Sequence, residues 1–194
     1  INQISSKKVL SVIKKNKSNG VKFTTGVSIN NLSLNQNDIG EFRTFLKLSS
    51  PLREEQDRLS LIEGIKNDLI DVIVSDHVPE DEESKRLPFA QAASGSIGIE
   101  TLLSLALELY HNNSLPLDKI IKCLTINPAK ILKINKGTLK KDADADICIL
   151  DLEKPWIVKA VDLKSKSKNT AIENRKLQGK VIMTFLNGEL VFSN

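Results

Sequence analysis

The sequence predicts an α/β fold, the C-terminal part of a (β/α)8, TIM-type barrel followed by a small β-rich domain. Three observations carry that expectation. A short apolar run, Leu69-Ile-Asp-Val-Ile-Val-Ser75, stops at Asp76-His77 and opens into the charged loop Glu80–Arg86. Strands buried on both faces read as continuous apolar runs, and in α/β barrels catalytic carboxylates stand where such strands end. Stretches of helical periodicity separate such runs as far as residue 136, and beyond Gly137 the texture changes to short β-rich segments. The expected domains are therefore 1–136, C-terminal strand-helix units of a barrel, and 137–194, a β-rich domain that would pair with N-terminal strands in a full-length protein.

Taken in order, Ile1-Asn-Gln-Ile4 reads as a strand that leads into a helix starting at Ser5 or Ser6. Val9, Leu10, Val12 and Ile13 recur there at helical spacing, lysines fill the other face, and Asn19-Gly20 supplies a stop. A chain that opens inside a strand, without methionine, is expected to be a piece of a longer polypeptide. Val21–Val27 forms the next strand, and a polar loop runs through Phe45–Leu48 to Ser49-Ser-Pro-Leu-Arg53. The helix Glu54–Asn67 follows, with Leu59, Leu61, Ile62 and Ile65 as its inner stripe, and feeds the strand that ends at Asp76. Ile97–Tyr110 reads as a strongly apolar helix, Asp118–Leu124 as another, and Asn127-Pro128 as the start of a short third. The β-rich runs are 147–150, 156–158, 180–186 and 189–192, the last two joined by the hairpin signal Asn187-Gly188. A closed barrel takes about 250 residues, and three strand-helix units would leave open sheet edges. The remainder is expected from a missing N-terminal half or from another chain, and an oligomer is expected.

With 194 residues, 40% hydrophobic and 27% charged, the composition excludes a disordered chain and is ample for a core. The net charge of +4 is interspersed except for lysine patches at 7–17 and 164–168. These lack interleaved aromatics and read as solvated faces, so nucleic acid is not an expected partner. Cys123 and Cys148 lie far apart, which suits reduced thiols and argues against a zinc–thiolate centre. No apolar run approaches the roughly 18 residues of a membrane span, and a cytoplasmic location is expected.

Several stretches together resemble one family, the dihydroorotases of the amidohydrolase superfamily, in the longer-chain type that associates with aspartate transcarbamoylase. Ser49–Arg53 resembles that family's Asn-Pro-Pro-Leu-Arg, and Ser75-Asp-His-Val-Pro79 its Thr-Asp-His-Ala-Pro. Pro88–Ala92 with Gly98-Ile-Glu-Thr101 is similar to its Pro-Phe…Gly-Leu-Glu-Thr, and Leu124–Ala129, Gly137–Asp146, Ser165–Thr170 and Lys176–Val181 follow its later segments. The resemblance implies a metal-dependent barrel that interconverts carbamoyl aspartate and dihydroorotate in pyrimidine synthesis. In that family zinc lowers the pKa of a bound water towards ~7. It also implies that Asp76 is the catalytic general base and a metal ligand.

Other positions depart from the pattern. Where the family has His-Val-Ser-Thr, this chain has Gln3-Ile-Ser-Ser6, so an amide replaces an imidazole ligand. A neutral amide is a poor substitute at zinc. The family's second histidine after the aspartate is Glu80 here, which sets a carboxylate against an anionic substrate. That repulsion is about 1 kcal/mol in water and up to about 4 kcal/mol at an effective dielectric of about 20. Ser49 replaces asparagine, and Asn30-Asn31 stands where His-His is usual. Ser49, Glu80 and Gly95 are the substrate-binding candidates and Asp76 the catalytic and metal candidate. The expectation is a barrel that has lost zinc and chemistry and persists as an assembly partner of aspartate transcarbamoylase. The alternative is an active zinc dihydroorotase completed by a missing half.

On the residues alone Asp76 reads more readily as a carboxylate that caps a turn, which is common at strand ends. His77 is expected to make a structural hydrogen bond, His111 to cap a helix end, and Arg53 to bind a carboxylate or pair with Glu54 or Glu55. The stretch around Gly95 and Gly98 reads as a tight turn into a helix, and the loop at Glu80–Arg86 as a lid or a solvated loop.

Overall fold

The structure, a computed structural model, describes residues 1–194. Its first regular element is helix α1, Lys7–Ser18. Ser6 caps it by accepting from the Lys8 N–H, and the buried Asp57 carboxylate accepts from the Lys7 N–H at 2.7 Å, placing negative charge at the positive helix end. The preceding residues run extended beside strand β1, Gly26–Ser28, with Ile4 N–H donating to the Gly26 carbonyl at 3.0 Å and Gly26 N–H to that of Ile1 at 2.9 Å. Strand β2, Val72–Val74, pairs in parallel with β1 in the register Gly26–Val72, Val27–Ile73, Ser28–Val74. Helices α2, Ile29–Ser33, and α3, Glu55–Lys66, fill the connection. This is the strand-helix-strand grammar of a partial α/β barrel.

α1 and α3 bury narrower stripes than periodicity suggests. Leu10 and Ile13 are buried but Val9 and Val12 are not, and in α3 Leu61, Ile62 and Ile65 are buried while Leu59 is 52% exposed. The two helices pack on each other and on the strands, leaving their outer flanks open. Ile65 is completely buried in the core. Ile65→Ala is therefore expected to lower stability by about 2–5 kcal/mol, read as a fall in the urea midpoint with an unchanged slope.

After the short helix α4, Glu82–Arg86, come α5, Leu102–His111, α6, Leu117–Leu124, and α7, Ile126–Leu132. α5 begins five residues later than its apolar run. Ser96 forms a bridge with His77, Ile97 N–H donates to the Asn169 carbonyl, and Gly98 N–H donates to His77 Nδ1, so backbone that could have turned helical is committed elsewhere.

The last regular part is a three-stranded antiparallel sheet of β3, Ile147–Ile157, β4, Lys176–Leu186, and β5, Glu189–Ser193, in the order β3-β4-β5. The two runs expected at 147–150 and 156–158 are one strand. Asp151 Oδ1 accepts from the N–H groups of Glu153 and Lys154, and the register shifts there, so a bulge carries the strand through. Asn187 and Gly188, both at positive φ, make the hairpin turn. α5 joins the sheet to the barrel: Trp156 Nε1 donates to Ser104 Oγ, which donates to the Gly179 carbonyl at 2.6 Å, and Arg175 pairs with Glu108 at 2.8 Å. One apolar core runs through both parts, from Ile4, Val27 and Ile73 to Leu105, Val158 and Leu177.

Cys123 is buried and Cys148 exposed. Burial pushes the Cys123 thiol up to about 11. A thiol titration at neutral pH is expected to show one rapid reaction, at Cys148, and the second only after denaturant is added.

Candidate functional site

Asp76 stands just past the end of β2 with φ +50°, and Gln3, at the end of the neighbouring extended segment, has φ +55°. Left-handed backbone at non-glycine residues is uncommon and clusters at functional sites. The two side chains meet: Gln3 Nε2 donates a short hydrogen bond to Asp76 Oδ1. Gln3 is itself held by Ser50, whose Oγ donates to the Gln3 carbonyl at 3.0 Å. The Ser50–Pro51 turn is held in its turn by Asn31, whose Nδ2 donates to the Pro51 carbonyl at 3.1 Å. Three adjacent strand ends are thus tied by one chain of polar contacts that finishes on the carboxylate. Asn30 and Asn31 are both 3% exposed, with Asn30 Nδ2 and Asn31 Oδ1 lacking partners.

The other candidates lie around this point in different ways. Ser49 is exposed, one residue from the Ser50 anchor. Glu80 is half-buried, its N–H donating to Asn169 Oδ1 and its carbonyl accepting from Ser167 Oγ, so its visible contacts are backbone ones. Gly95 is buried, with its N–H on the Lys47 carbonyl and its own carbonyl accepting from Lys85 Nζ and Asn169 Nδ2. At φ +149° an added Cβ would lie 2.6 Å from a Val78 methyl, so the position demands glycine for packing. His77 accepts from Gly98 N–H at 3.1 Å through Nδ1, which makes it a structural brace. His111 Nε2 lies 3.1 Å from the Leu152 carbonyl and fastens its helix end to the sheet. Arg53 Nε donates to Ser5 Oγ, and it is Arg58 that pairs with Glu55.

Two residues of the rim gave no signal in the sequence. Lys85 is 1% exposed, and its ammonium donates to the carbonyls of Ala93 and Gly95, each at 2.9 Å. Burial lowers its pKa below the ordinary lysine value, opposed by the nearby Glu80 charge. Asn169, 2% exposed, spans the carbonyls of Val78 and Gly95 and the N–H of Glu80. Together they pin the segment from Val78 to Ser96 as a fixed rim beside Asp76.

The donors present do not by themselves make a metal centre. No group of three His, Cys, Asp or Glu side chains converges anywhere in the chain. Around Asp76 the partner is the neutral side-chain amide of Gln3, a poor ligand for zinc beside imidazole, thiolate or carboxylate.

The sequence profile of the amidohydrolase family matches residues 3–191. The chain belongs to the amidohydrolase family. Among curated amidohydrolase relatives, a dihydroorotase of Ehrlichia chaffeensis (strain ATCC CRL-10679 / Arkansas) is 44% identical over 189 residues, 97% of this chain and 42% of the relative. A dihydroorotase of Aquifex aeolicus (strain VF5) is 39% identical over 194 residues, 100% of this chain and 46% of the relative. Of solved amidohydrolase folds, L-hydantoinase (dihydropyrimidinase) from Arthrobacter aurescens superposes with a TM-score of 0.93 at 26% identity, covering 99% of this chain and 44% of that one. Dihydropyrimidinase from Brevibacillus agri NCHU1002 superposes with a TM-score of 0.91 at 21% identity, a likeness of fold. The chain spans less than half the length of these relatives and forms part of a barrel. No helix is long and apolar enough to cross a membrane.

Proposed function

We propose that this chain is the C-terminal part of a dihydroorotase-like protein of pyrimidine synthesis whose centre holds no zinc and turns over no substrate, and whose barrel serves as an assembly partner of aspartate transcarbamoylase. The observation that carries the silent centre is the hydrogen bond from Gln3 Nε2 to Asp76 Oδ1. The carboxylate that the family pattern assigns to metal and proton transfer accepts a hydrogen bond from an amide instead. Glu80, a carboxylate where the family pattern has a histidine that helps hold an anionic substrate, points the same way.

A second reading is favoured by a different observation. Identity to proteins named dihydroorotase is 44% with the Ehrlichia relative over nearly the whole chain, and Asp76 keeps its place at the end of β2. On that reading a preceding barrel half completes an active zinc dihydroorotase, with Asp76 as general base.

Metal analysis and a dihydroorotate hydrolysis assay on the native gene product separate the two. The first reading expects neither bound zinc nor turnover, together with co-elution with the transcarbamoylase. Stoichiometric zinc with turnover that disappears in Asp76→Asn would establish the second. Elution alone, with no effect on the transcarbamoylase, removes the assembly role.

A further inference from the structure

Away from Asp76, on the outer side of the rim, the segments 41–47 and 159–173 enclose a cavity of about 420 Å3. Phe45, Leu46, Ala160 and Ala171 supply its apolar lining, and Arg43, Lys168, Glu173 and two threonines, Thr44 and Thr170, its polar lining. Phe42 is 71% exposed and Val161 79% exposed on the same segments. Phe42 also holds φ +54°, an unfavourable conformation for a bulky side chain, and packs edge-on against Phe89 with ring centroids 5.7 Å apart. Phe42 thus lies outside the buried core, and an exposed apolar residue on left-handed backbone is a candidate contact for another surface.

The two segments that form the cavity carry an excess of basic side chains, of which Arg43 and Lys168 line it together with Glu173. The two segments carry six cations, Arg43, Lys47, Lys159, Lys164, Lys166 and Lys168, against three carboxylates, Glu41, Asp162 and Glu173. None of the six enters an ion pair, although Lys17, Arg58, Arg86, Lys119, Lys136 and Arg175 each do elsewhere. Arg43, Lys47 and Lys168 rest on neutral carbonyls, those of Asp38, Ala90 and Leu163. Glu173 is engaged by the Ala160 N–H at 2.8 Å.

We propose that this patch docks an acidic amphipathic segment of a partner protein, one apolar side chain entering the cavity and carboxylates meeting Arg43 and Lys168. Apolar anchors buried in pockets and rimmed by complementary charge are the usual energetic centre of such contacts. The aliphatic walls suit a Leu or Phe side chain. A single-stranded nucleic acid would want several aromatic faces for successive bases to stack on, and Phe45 is the one aromatic side chain in the cavity lining. The inference is independent of the state of the Asp76 centre, since none of these residues touches it.

The test uses the native gene product and a fluorescein-labelled helical peptide with a glutamate face and a leucine face. Saturable binding that weakens with added salt, and falls by about tenfold or more in Arg43→Glu/Lys168→Glu, is the expected result. Val161→Asp, at an exposed position that folding does not need, is expected to weaken it as well. Equal binding of a peptide with lysine in place of glutamate would overturn the proposal as general stickiness. Tighter binding of an oligo-dT strand would overturn it in favour of nucleic acid. A failure to bind overturns it too: if Phe42→Ser then dissolves a self-associated species, a second copy covers the patch, and if the patch is protected from hydrogen exchange in a monomer, another part of the same polypeptide does.

Discussion

Gln3→His in the native gene product is expected to raise zinc retained after dialysis from a trace to near-stoichiometric, with dihydroorotate turnover appearing alongside it. The reasoning is local. Gln3 Nε2 donates to Asp76 Oδ1, so at present the carboxylate is satisfied by a proton-bearing nitrogen. An imidazole at the same place offers a lone pair, and with it the aspartate becomes half of a ligand pair. The gain in affinity should exceed the roughly 10–100-fold that outer partners of metal ligands are worth. The backbone does not oppose the exchange, because position 3 sits at φ +55° and histidine is among the residues that tolerate this region better than most. Metal analysis of the two proteins purified in parallel decides the matter. Equal zinc in both would mean that the centre is lost or kept for reasons elsewhere, and that Gln3 is not the deciding change.

Gly98→Ala is expected to be the more damaging substitution for the fold. A Cβ at this position would lie 2.6 Å from the Ser75 carbonyl oxygen, backbone that belongs to the strand end carrying Asp76. Neither partner can swing away, since Gly98 N–H is bonded to His77 and Ile97 N–H to Asn169. Forced overpacking of this kind costs about 1–3 kcal/mol, and the upper end is expected where backbone meets backbone. A urea titration should show the midpoint falling with an unchanged slope. A midpoint equal to that of the parent would mean that the strand and the turn are not as closely opposed as described.

The barrel grammar was legible because it rests on periodicity. β2 declares itself as an apolar run, Asn187-Gly188 as a hairpin, and the helices α5, α6 and α7 as apolar or amphipathic stretches. What could not be read was where backbone is claimed by distant partners. The start of α5 slid to Leu102 because Ser96, Ile97 and Gly98 are bonded to residues remote in sequence. The bulge at Asp151 joined two expected strands because a side chain replaced a turn. At the centre, Asp76 was legible from its position after an apolar run, and Gln3 only through the resemblance to a family. Lys85 was hidden among Glu80–Arg86, where a charge run looks solvated, yet it is the most deeply buried cation in the chain. Nothing local distinguishes it from Arg86, which is exposed and paired with Glu82.

Asn169 has a consequence for how the molecule comes into being. Its amide joins Val78 and Gly95, separated from it by 91 and 74 residues, and its side-chain oxygen receives the N–H of Glu80 from 89 residues away. Closing loops of that length is entropically costly and slow, and the asparagine lies between β3 and β4. A nascent chain emerging from the ribosome must therefore hold the loop beside Asp76 unfastened until Asn169, 91 residues beyond Val78, has been translated, so a late connection between two strands fastens a loop made long before it.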